Sequence, residues 1–255
     1  MTPALELQGF SVRLAGRSVV SGVDWRVAPG ELVGVVGPNG AGKSSLLRGA
    51  LGLLRHEGEA RLFGADVGRL SEAEWAERAA YLPQERRVAW GVPAISLAEL
   101  GAPLKPRAAA RAAALRALER VGLARLAERG VFEMSGGERA RVLLARLLAA
   151  EAPMIVADEP TSDLDPGAQL DMFALLREEA GRGAAVVATV HDLTLAARFC
   201  DRLLVLDGGR VAADAAPANA LSAEVLARVF QLDGWFETTE AGPILVTRRR
   251  SPGHG

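Results

Sequence analysis

The stretch Gly37-Pro38-Asn39-Gly40-Ala41-Gly42-Lys43-Ser44 follows the apolar run Leu32–Val36 and precedes Ser45-Leu46-Leu47-Arg48. A strand, a glycine-rich turn and a helix start, in that order, are the context in which G-x-x-x-x-G-K-[ST] predicts a phosphate-binding loop. The glycines let the backbone wrap closely round a polyphosphate, so that successive N–H groups and the positive end of the helix dipole face its charge. We therefore predict that residues 37–45 bind phosphates; a ligand-free turn is the disfavoured alternative.

Two side chains at the end of this loop have specific predicted roles. Lys43 is placed to reach the β- and γ-phosphates of a nucleotide, and Ser44 is placed to bind Mg²⁺. An acidic pair, Asp158-Glu159, ends the apolar run Met154–Ala157, and ligands collect at such strand ends in parallel sheets. Asp158 is suited to orient Mg²⁺ through water and Glu159 to polarise an attacking water. A simple strand-end turn is the alternative, which the upstream loop disfavours.

Composition limits the class of protein. The 255 residues, 49% of them hydrophobic, suffice for one large domain with a sizeable core. With 30 basic and 31 acidic side chains, the net charge of −1 gives no electrostatic reason to expect nucleic acid as a partner. The single cysteine, Cys200, excludes a disulfide framework and fits a reducing cytoplasm. Charges interrupt every long apolar run, so we expect no membrane span and no export signal.

The order of patterns along the chain predicts an α/β fold. Short apolar bursts before the loop predict antiparallel strands, and residues 56–59 read as a turn. Strand patterns return at Met154–Ala157, Ala184–Val190 and Arg202–Leu206 with helical stretches between them, which predicts a mostly parallel sheet. We expect one domain over residues 1–255: a phosphate-loop NTPase core (1–84 and 151–255) with an antiparallel β subdomain, and an inserted α-helical subdomain (85–150).

A second glycine pair lies just before a helix, in Ser135-Gly136-Gly137-Glu138. A serine hydroxyl and two glycine amides at a helix N-terminus predict a second anion site, although an ordinary helix cap is also possible. The phosphate loop already has its own helix dipole. A second anion site therefore raises the question of whose phosphate it binds.

Taken in chain order, the motifs resemble the nucleotide-binding subunit of an ATP-binding-cassette (ABC) transporter over essentially the whole chain. They are the phosphate loop, Gln84, Ser135–Glu138, Asp158-Glu159, residues 162–165 and His191. The resemblance implies ATP and Mg²⁺ as ligands and a head-to-tail homodimer. In such a dimer, Ser135–Gly137 of one chain cap the γ-phosphate held by Lys43 of the other.

The same resemblance assigns further roles around the γ-phosphate. Gln84 would contact the metal or the attacking water and report nucleotide status to a membrane partner, and His191 would hydrogen-bond the γ-phosphate. The implied catalytic set is Lys43, Gln84, Glu159 and His191, and the metal set is Ser44, Gln84 and Asp158. Where the family usually has an aromatic residue that stacks on adenine, this chain has Leu14. We therefore expect weak base discrimination, unless Phe10 or Trp25 replaces that residue.

The resemblance also implies partners. A chain without a membrane span would work with two separate transmembrane permease subunits at the cytoplasmic face of the inner membrane, and a periplasmic or surface solute-binding protein would act on those subunits. Leu82-Pro83-Gln84, His191–Arg198 and Pro217–Phe230 are similar to the importer branch for iron chelates, haem and cobalamin. We place haem or a ferric siderophore ahead of cobalamin.

Two other classes compete with an importer subunit. A soluble ABC ATPase acting on nucleic acid or ribosomes is the main alternative, and the absence of net positive charge disfavours it. A non-hydrolysing module is disfavoured by the intact Lys43, Asp158, Glu159 and His191. We also expect residues 88–96 to contact the permease, with Trp90 and Ile95 exposed; packing into the subdomain's own core is the alternative.

Overall fold

The computed structural model describes residues 2–85, 88, 91–162, 164–240 and 242–249. Its strands are β1 (Leu5–Leu14), β2 (Arg17–Val27), β3 (Leu32–Val36), β4 (His56–Leu62), β5 (Ala65–Asp66), β6 (Ala79–Leu82), β7 (Met154–Ala157), β8 (Ala185–Thr189), β9 (Arg202–Asp207), β10 (Arg210–Ala215), β11 (Leu232–Thr239) and β12 (Gly242–Arg249). Its α-helices are α1 (Lys43–Ala50), α2 (Glu72–Arg78), α3 (Ala94–Glu99), α4 (Arg107–Arg120), α5 (Gly136–Ala149), α6 (Pro166–Gly181), α7 (Leu193–Phe199), α8 (Pro217–Ala220) and α9 (Ala223–Val225).

A six-stranded sheet carries the phosphate loop. Its strand order is β10-β9-β3-β8-β7-β6, with every neighbouring pair parallel except β9 and β10. The β3 strand, which precedes the loop, is central, and the acidic strand β7 lies two positions away across β8. The carboxyl ends of parallel strands meet at one edge, so this order brings the loop and the acidic pair to the same edge. The predicted mostly parallel α/β sheet is confirmed.

Both faces of this sheet are buried, which explains the near-continuous apolar strands. Along β3, Leu32 and Val36 belong to one buried apolar cluster, whereas Val33 and Val35 belong to the other. The same alternation continues along β7 and β8, because successive side chains of a strand point to opposite faces. The phosphate loop therefore extends from a strand that is anchored on both sides.

The antiparallel subdomain is a second sheet, in the order β2-β1-β4-β5. It confirms the antiparallel strands predicted before the loop. The turn predicted at residues 56–59 is wrong, because these residues are the first half of β4 and pair with β1. The polar, glycine-containing sequence instead forms an irregular strand: Gly58 has φ +79° and lies against the Gly9 backbone, beside a register shift in β1.

The helical insertion contains α3, α4 and α5. Buried alanines and Leu118 form one apolar face of α4. The predicted exposure of Ile95 is wrong: Ile95 is fully buried in α3, because its side chain completes the core between α3, α4 and α5. Trp90 lies outside the described residues. The division at residues 85–150 stays a prediction.

The C-terminal part of the described chain contains an antiparallel hairpin of β11 and β12. Leu245 of this hairpin is buried, and its backbone oxygen accepts a hydrogen bond from the Thr194 hydroxyl of α7 at 3.3 Å. Among the described residues, every helix is too short or too polar to cross a bilayer.

Candidate nucleotide-binding and hydrolysis site

The loop between β3 and α1 has a backbone that only glycine tolerates at two positions. Gly37 has φ +151°, and a Cβ there would lie 2.2 Å from the Leu206 backbone oxygen. Gly42, the N-cap of α1, has φ +98°, and a Cβ there would lie 2.4 Å from the Val19 backbone oxygen. Both contacts are far inside van der Waals distance. The backbones of the neighbouring strands therefore leave no room for a side chain at Gly37 or Gly42, in addition to any requirement of a phosphate ligand.

Lys43 lies inside this loop and is only 6% exposed. Its Nζ donates hydrogen bonds to the backbone oxygens of Gly37 at 2.8 Å and Pro38 at 3.1 Å. Burial lowers the pKa of Lys43, and the nearby charges of Glu159 and Asp158 partly oppose that shift. The ammonium group is held at the centre of the loop, where the backbone wraps round it, as a residue that contacts phosphate must be.

Asp158 follows β7 directly, as predicted, and is 1% exposed. Its Oδ1 accepts a hydrogen bond from the Ser44 hydroxyl at 3.0 Å, and its Oδ2 lies 3.5 Å from the Tyr81 hydroxyl. The contact with Ser44 brings the two predicted metal ligands together, one on α1 and one directly after β7. The carboxylate is thus fixed from the loop and from the neighbouring strand.

The donor set fits Mg²⁺ bound together with a nucleotide. Mg²⁺ prefers oxygen ligands and usually takes one or two protein oxygens, with phosphates and waters completing its shell. Ser44 Oγ and Asp158 Oδ1 are two such oxygens in contact. In the described parts of the chain, no three His, Cys, Asp or Glu side chains form a metal-binding group by themselves. The site therefore suits a nucleotide-bound Mg²⁺ better than a resident metal.

Glu159 and His191 form the outer part of the same site. Glu159 Oε1 and His191 Nε2 are 2.7 Å apart, so the two predicted catalytic side chains are in direct contact. Glu159 also has φ +51°, the left-handed region that non-glycine residues rarely adopt. Such strain typically costs about 1–3 kcal/mol and concentrates at functional sites. His191 follows β8 by two residues, which places it at the same sheet edge as Glu159.

The second anion site predicted from the sequence lies at the start of α5. Ser135 is its N-cap: the Ser135 hydroxyl accepts the Glu138 backbone N–H at 3.2 Å, and Glu138 accepts the Ser135 backbone N–H at 2.8 Å. These two bonds form a capping box, so the alternative of a helix cap is correct as a description of this chain alone. The bond from the Ser135 N–H lowers the pKa of Glu138. A Cβ at Gly136 or Gly137 would meet nothing within 4 Å.

The structure places the remaining predicted residues as follows. Gln84 lies in a bend two residues after β6 with its side chain exposed, and its contact with metal or water stays a prediction. Leu14 is 40% exposed at the end of β1, whereas Phe10 and Trp25 are buried in the core. Neither aromatic residue is therefore available to stack on a base. Asp163 lies outside the described residues.

Sequence reasoning missed two residues that contact Asp158, namely Tyr81 and Thr189. Burial is the largest cause that raises the pKa of Tyr81, followed by the nearby Asp158 charge. Both residues are ordinary strand formers, so Tyr81 within β6 and Thr189 at the end of β8 are explained by strand propensity alone. The only signal in the sequence was a hydroxyl in otherwise apolar strands that end at the predicted active edge.

Comparison with known proteins agrees with this geometry. The family model described as ABC transporter matches residues 20–162, which is more than half of the chain. The Hemin import ATP-binding protein HmuV of Rhodopseudomonas palustris is 40% identical, and the alignment covers all of both chains. The Cobalamin import ATP-binding protein BtuD of Halobacterium salinarum is 42% identical over 95% of this chain and 63% of that one. The chain therefore belongs to the ABC transporter family and is an ATP hydrolase.

Solved structures show the same architecture. An inward-facing structure of a metal-chelate type ABC transporter aligns over 98% of both chains with a TM-score of 0.84 and 23% identity, which supports the fold alone. A dimeric ATP-binding cassette in a post-hydrolysis state, bound to ADP and Pi, aligns over 84% of this chain and 98% of that one, with a TM-score of 0.75 and 27% identity. The fold predicted from the motifs is thus confirmed.

Proposed function

We propose that this chain is the ATP-binding subunit of an importer for haem or a related metal chelate, and that it hydrolyses ATP to drive uptake through separate permease subunits. One observation carries the ATPase part of the proposal. The phosphate-loop residues Lys43 and Ser44 share one site with Asp158, and Asp158 precedes the Glu159–His191 pair. The full-length similarity to a hemin import ATP-binding protein supports the transport part.

The proposed chemistry is phosphoryl transfer to water. The water oxygen forms a bond to the γ-phosphorus, the bond to the oxygen bridging the β- and γ-phosphates breaks, and ADP leaves. Glu159 accepts a hydrogen bond from the water and takes its proton as the new bond forms. His191 contacts Glu159 Oε1, so it can hold that carboxylate in place. Its hydrogen bond to the γ-phosphate is part of the proposal. The products are ADP, inorganic phosphate and one proton.

The other side chains of the site bind and orient the nucleotide. Lys43 and the N-terminal end of α1 would face the β- and γ-phosphates. Ser44 and Asp158 would hold the nucleotide's Mg²⁺, with Gln84 approaching from the end of β6. Mg²⁺ held by these residues would supply positive charge that offsets the negative charge developing on the phosphate oxygens.

We further propose that two copies of this chain pair head to tail. The Ser135–Gly137 segment of each copy would then cap the γ-phosphate bound by the other copy, giving two composite sites in a closed two-fold dimer. The open space in front of Gly136 and Gly137 supports this, because another chain's nucleotide can approach their backbone N–H groups closely. The structural relative bound to ADP and Pi is itself dimeric.

The solute and the location rest on the relatives. Hemin import and cobalamin import proteins are both similar to this chain, and we place haem or a ferric siderophore ahead of cobalamin. Two permease subunits would hold the chain at the cytoplasmic face of the inner membrane, and a solute-binding protein would deliver the solute to them. An ATPase acting on nucleic acid is the alternative, and the net charge of −1 gives it no electrostatic support.

The proposal is tested by haem uptake in cells that depend on this chain. Lys43→Ala removes the buried ammonium group and should abolish uptake. The only other lysine of the sequence, Lys105, forms an ion pair with Glu151 at the surface, so Lys105→Ala is the matched control and should transport normally. Uptake that persists at the wild-type rate in Lys43→Ala cells would overturn the transport proposal. Haem-independent growth defects with nucleic-acid co-purification would favour the alternative.

A further inference from the structure

Thr189, the last residue of β8, makes two hydrogen bonds that join both halves of the acidic pair. Its hydroxyl donates to Asp158 Oδ1 at 2.8 Å and accepts the backbone N–H of Glu159 at 2.6 Å. The residue is 0% exposed, and among the described residues the only other buried polar or charged side chains are Asp158, at 1% exposure, and Lys43, at 6%. All three lie at one site.

The sheet register explains this position. Ala157 of β7 pairs with Ala188 of β8, so Asp158 and Thr189 are the next neighbours along the two parallel strands. On the other side, Thr189 pairs with Val35 of β3, the strand that precedes the phosphate loop. Side chains alternate along a strand, so Thr189 faces the same side as Val187, which is the side packed against α1. The Thr189 hydroxyl therefore lies on the α1 side of the sheet, next to Asp158.

A hydroxyl has one proton and two lone pairs, so the two bonds determine each other's direction. The Thr189 hydroxyl donates its hydrogen bond to Asp158, and one of its lone pairs accepts the hydrogen bond from the Glu159 backbone N–H. The Thr189 hydroxyl and the Ser44 hydroxyl both donate to Asp158 Oδ1, whereas the Tyr81 hydroxyl lies near Oδ2. The bond from Thr189 therefore helps to fix the orientation of the Asp158 carboxylate. The Thr189 hydroxyl also anchors the peptide that precedes the Glu159 side chain, at the residue whose φ of +51° is strained.

We propose that Thr189 is a positioning residue for ATP hydrolysis. Through its single hydroxyl it sets the Asp158 carboxylate for the metal and the Glu159 backbone for the water-activating side chain. His191 follows two residues later, so the end of β8 helps to position Asp158, Glu159 and His191. This inference rests on the roles proposed above for Asp158 and Glu159. A misplacement of reacting groups by about 1 Å can lower a rate about 10²-fold, which sets the size of the expected effect.

The test compares two substitutions in the full chain. Thr189→Val keeps the branched shape and removes the hydroxyl, so it should lower kcat at least about tenfold while the KM for ATP changes less than about threefold. Thr189→Ser keeps the hydroxyl and should retain kcat within about threefold of wild type. The Mg²⁺ concentration for half-maximal rate should rise in Thr189→Val and not in Thr189→Ser.

Two control variants distinguish a positioning role of Thr189 from the loss of any hydrogen-bonded threonine hydroxyl and from failure of the site as a whole. Thr194→Val removes the hydroxyl that donates to the Leu245 backbone oxygen, away from the acidic pair, and should leave kcat and the Mg²⁺ midpoint unchanged. Glu159→Gln tests the proposed function itself. If Glu159→Gln retains full turnover, the proposed catalytic role of Glu159 is wrong, whatever the result for the Thr189 variants.

If Glu159→Gln is inactive but Thr189→Val is fully active, the inference about Thr189 is overturned alone. The same holds if Thr189→Val only lowers Tm, with kcat per folded molecule unchanged, or if Thr189→Ser is as impaired as Thr189→Val. Should Thr189→Val fail to fold, Thr189→Ala provides the second variant without a hydroxyl, with ATP binding measured to show that the site is intact. Normal kcat in that variant would equally contradict the inference.

Discussion

The N-termini of α1 and α5 are both predicted to face phosphate, but they are built differently. The α1 helix begins after Gly42, without a side-chain cap and without an acidic residue in its first turn, and Lys43 is its first residue. The α5 helix has a complete capping box of Ser135 and Glu138, which places a carboxylate in the first turn. The α1 end has no side-chain cap and carries a cation, whereas the capping box of α5 satisfies the backbone N–H groups of Ser135 and Glu138.

We infer from this difference that the two helix ends would bind an anion in different ways. Uncapped N–H groups and a buried ammonium at α1 suit a polyphosphate that is bound firmly within one chain. The capping box stabilises the α5 end without an anion, and the negative charge of Glu138 opposes anion binding. We therefore expect the α5 end to bind a phosphate only when a second chain presents one whose charge Lys43 and Mg²⁺ already offset. The comparison predicts that changes near α1 affect binding and chemistry, while changes near α5 affect closure of the dimer.

The largest expected effect is on the chemistry, at Glu159, which lies at the same sheet edge as the α1 end. Glu159→Gln should lower ATP turnover about 10²–10⁴-fold, the usual contribution of a general base. ATP affinity should stay close to wild type, because the phosphate loop and Lys43 are unchanged. Phosphate release and equilibrium ATP binding measure the two quantities. Wild-type turnover in this variant would remove Glu159 from the mechanism, and a parallel loss of binding would show that its role is structural.

A pair of alanine substitutions tests the difference between the helix ends directly. Gly42→Ala places a methyl group against the Val19 backbone oxygen at a positive φ, so it should cost about 3 kcal/mol or more in unfolding free energy. Gly136→Ala points into open space in one chain and should change stability by less than about 0.5 kcal/mol. It should nevertheless slow ATP turnover, because the methyl group separates the α5 N–H groups from the partner's phosphate.

The control for this pair is Gly181→Ala at the end of α6, where a Cβ also meets nothing within 4 Å. It should be neutral for stability and for turnover. Denaturant unfolding and ATPase rates on all three variants make the comparison. If Gly136→Ala has full activity, the α5 end does not approach a nucleotide, and the distinction drawn between the two helix ends fails.

The smallest expected effect is on the choice between nucleotide bases, because neither helix end is proposed to contact the base. Leu14 offers apolar contact without a flat aromatic face, and stacking of a base on an aromatic ring is worth about 1–3 kcal/mol. GTP should therefore compete with ATP within about tenfold, and Leu14→Tyr should tighten ATP binding by up to about tenfold. Dissociation constants for both nucleotides test this. Strong ATP preference in the wild type, unchanged by Leu14→Tyr, would show that another residue reads the base.

Local motifs explain why much of the site could be predicted from the sequence. The order of strand, glycines and Lys43 is contiguous, and so is the apolar strand that ends in Asp158 and Glu159. Contacts between distant segments could not be predicted in this way. Thr189 reaches Asp158 only through the β7–β8 register, and Ile95 is buried because three helices enclose it. At residues 56–59, pairing with β1 overrides the local preference for a turn.

The central claim is that the α1 end of one chain and the α5 end of another form one hydrolysis site. Lys43→Ala should inactivate its own loop, and Ser135→Arg should prevent capping of the partner's nucleotide, so each variant alone should be inactive. In a mixed dimer both defects fall on one composite site and leave the other intact.

The decisive measurement is therefore ATPase activity after mixing the two inactive variants in equal amounts. We expect activity to return, up to about a quarter of the wild-type rate, since half of randomly paired dimers are mixed and each has one intact site. No recovery, with mixed dimers demonstrated by differential tags, would contradict the claim and indicate that each site is built within a single chain.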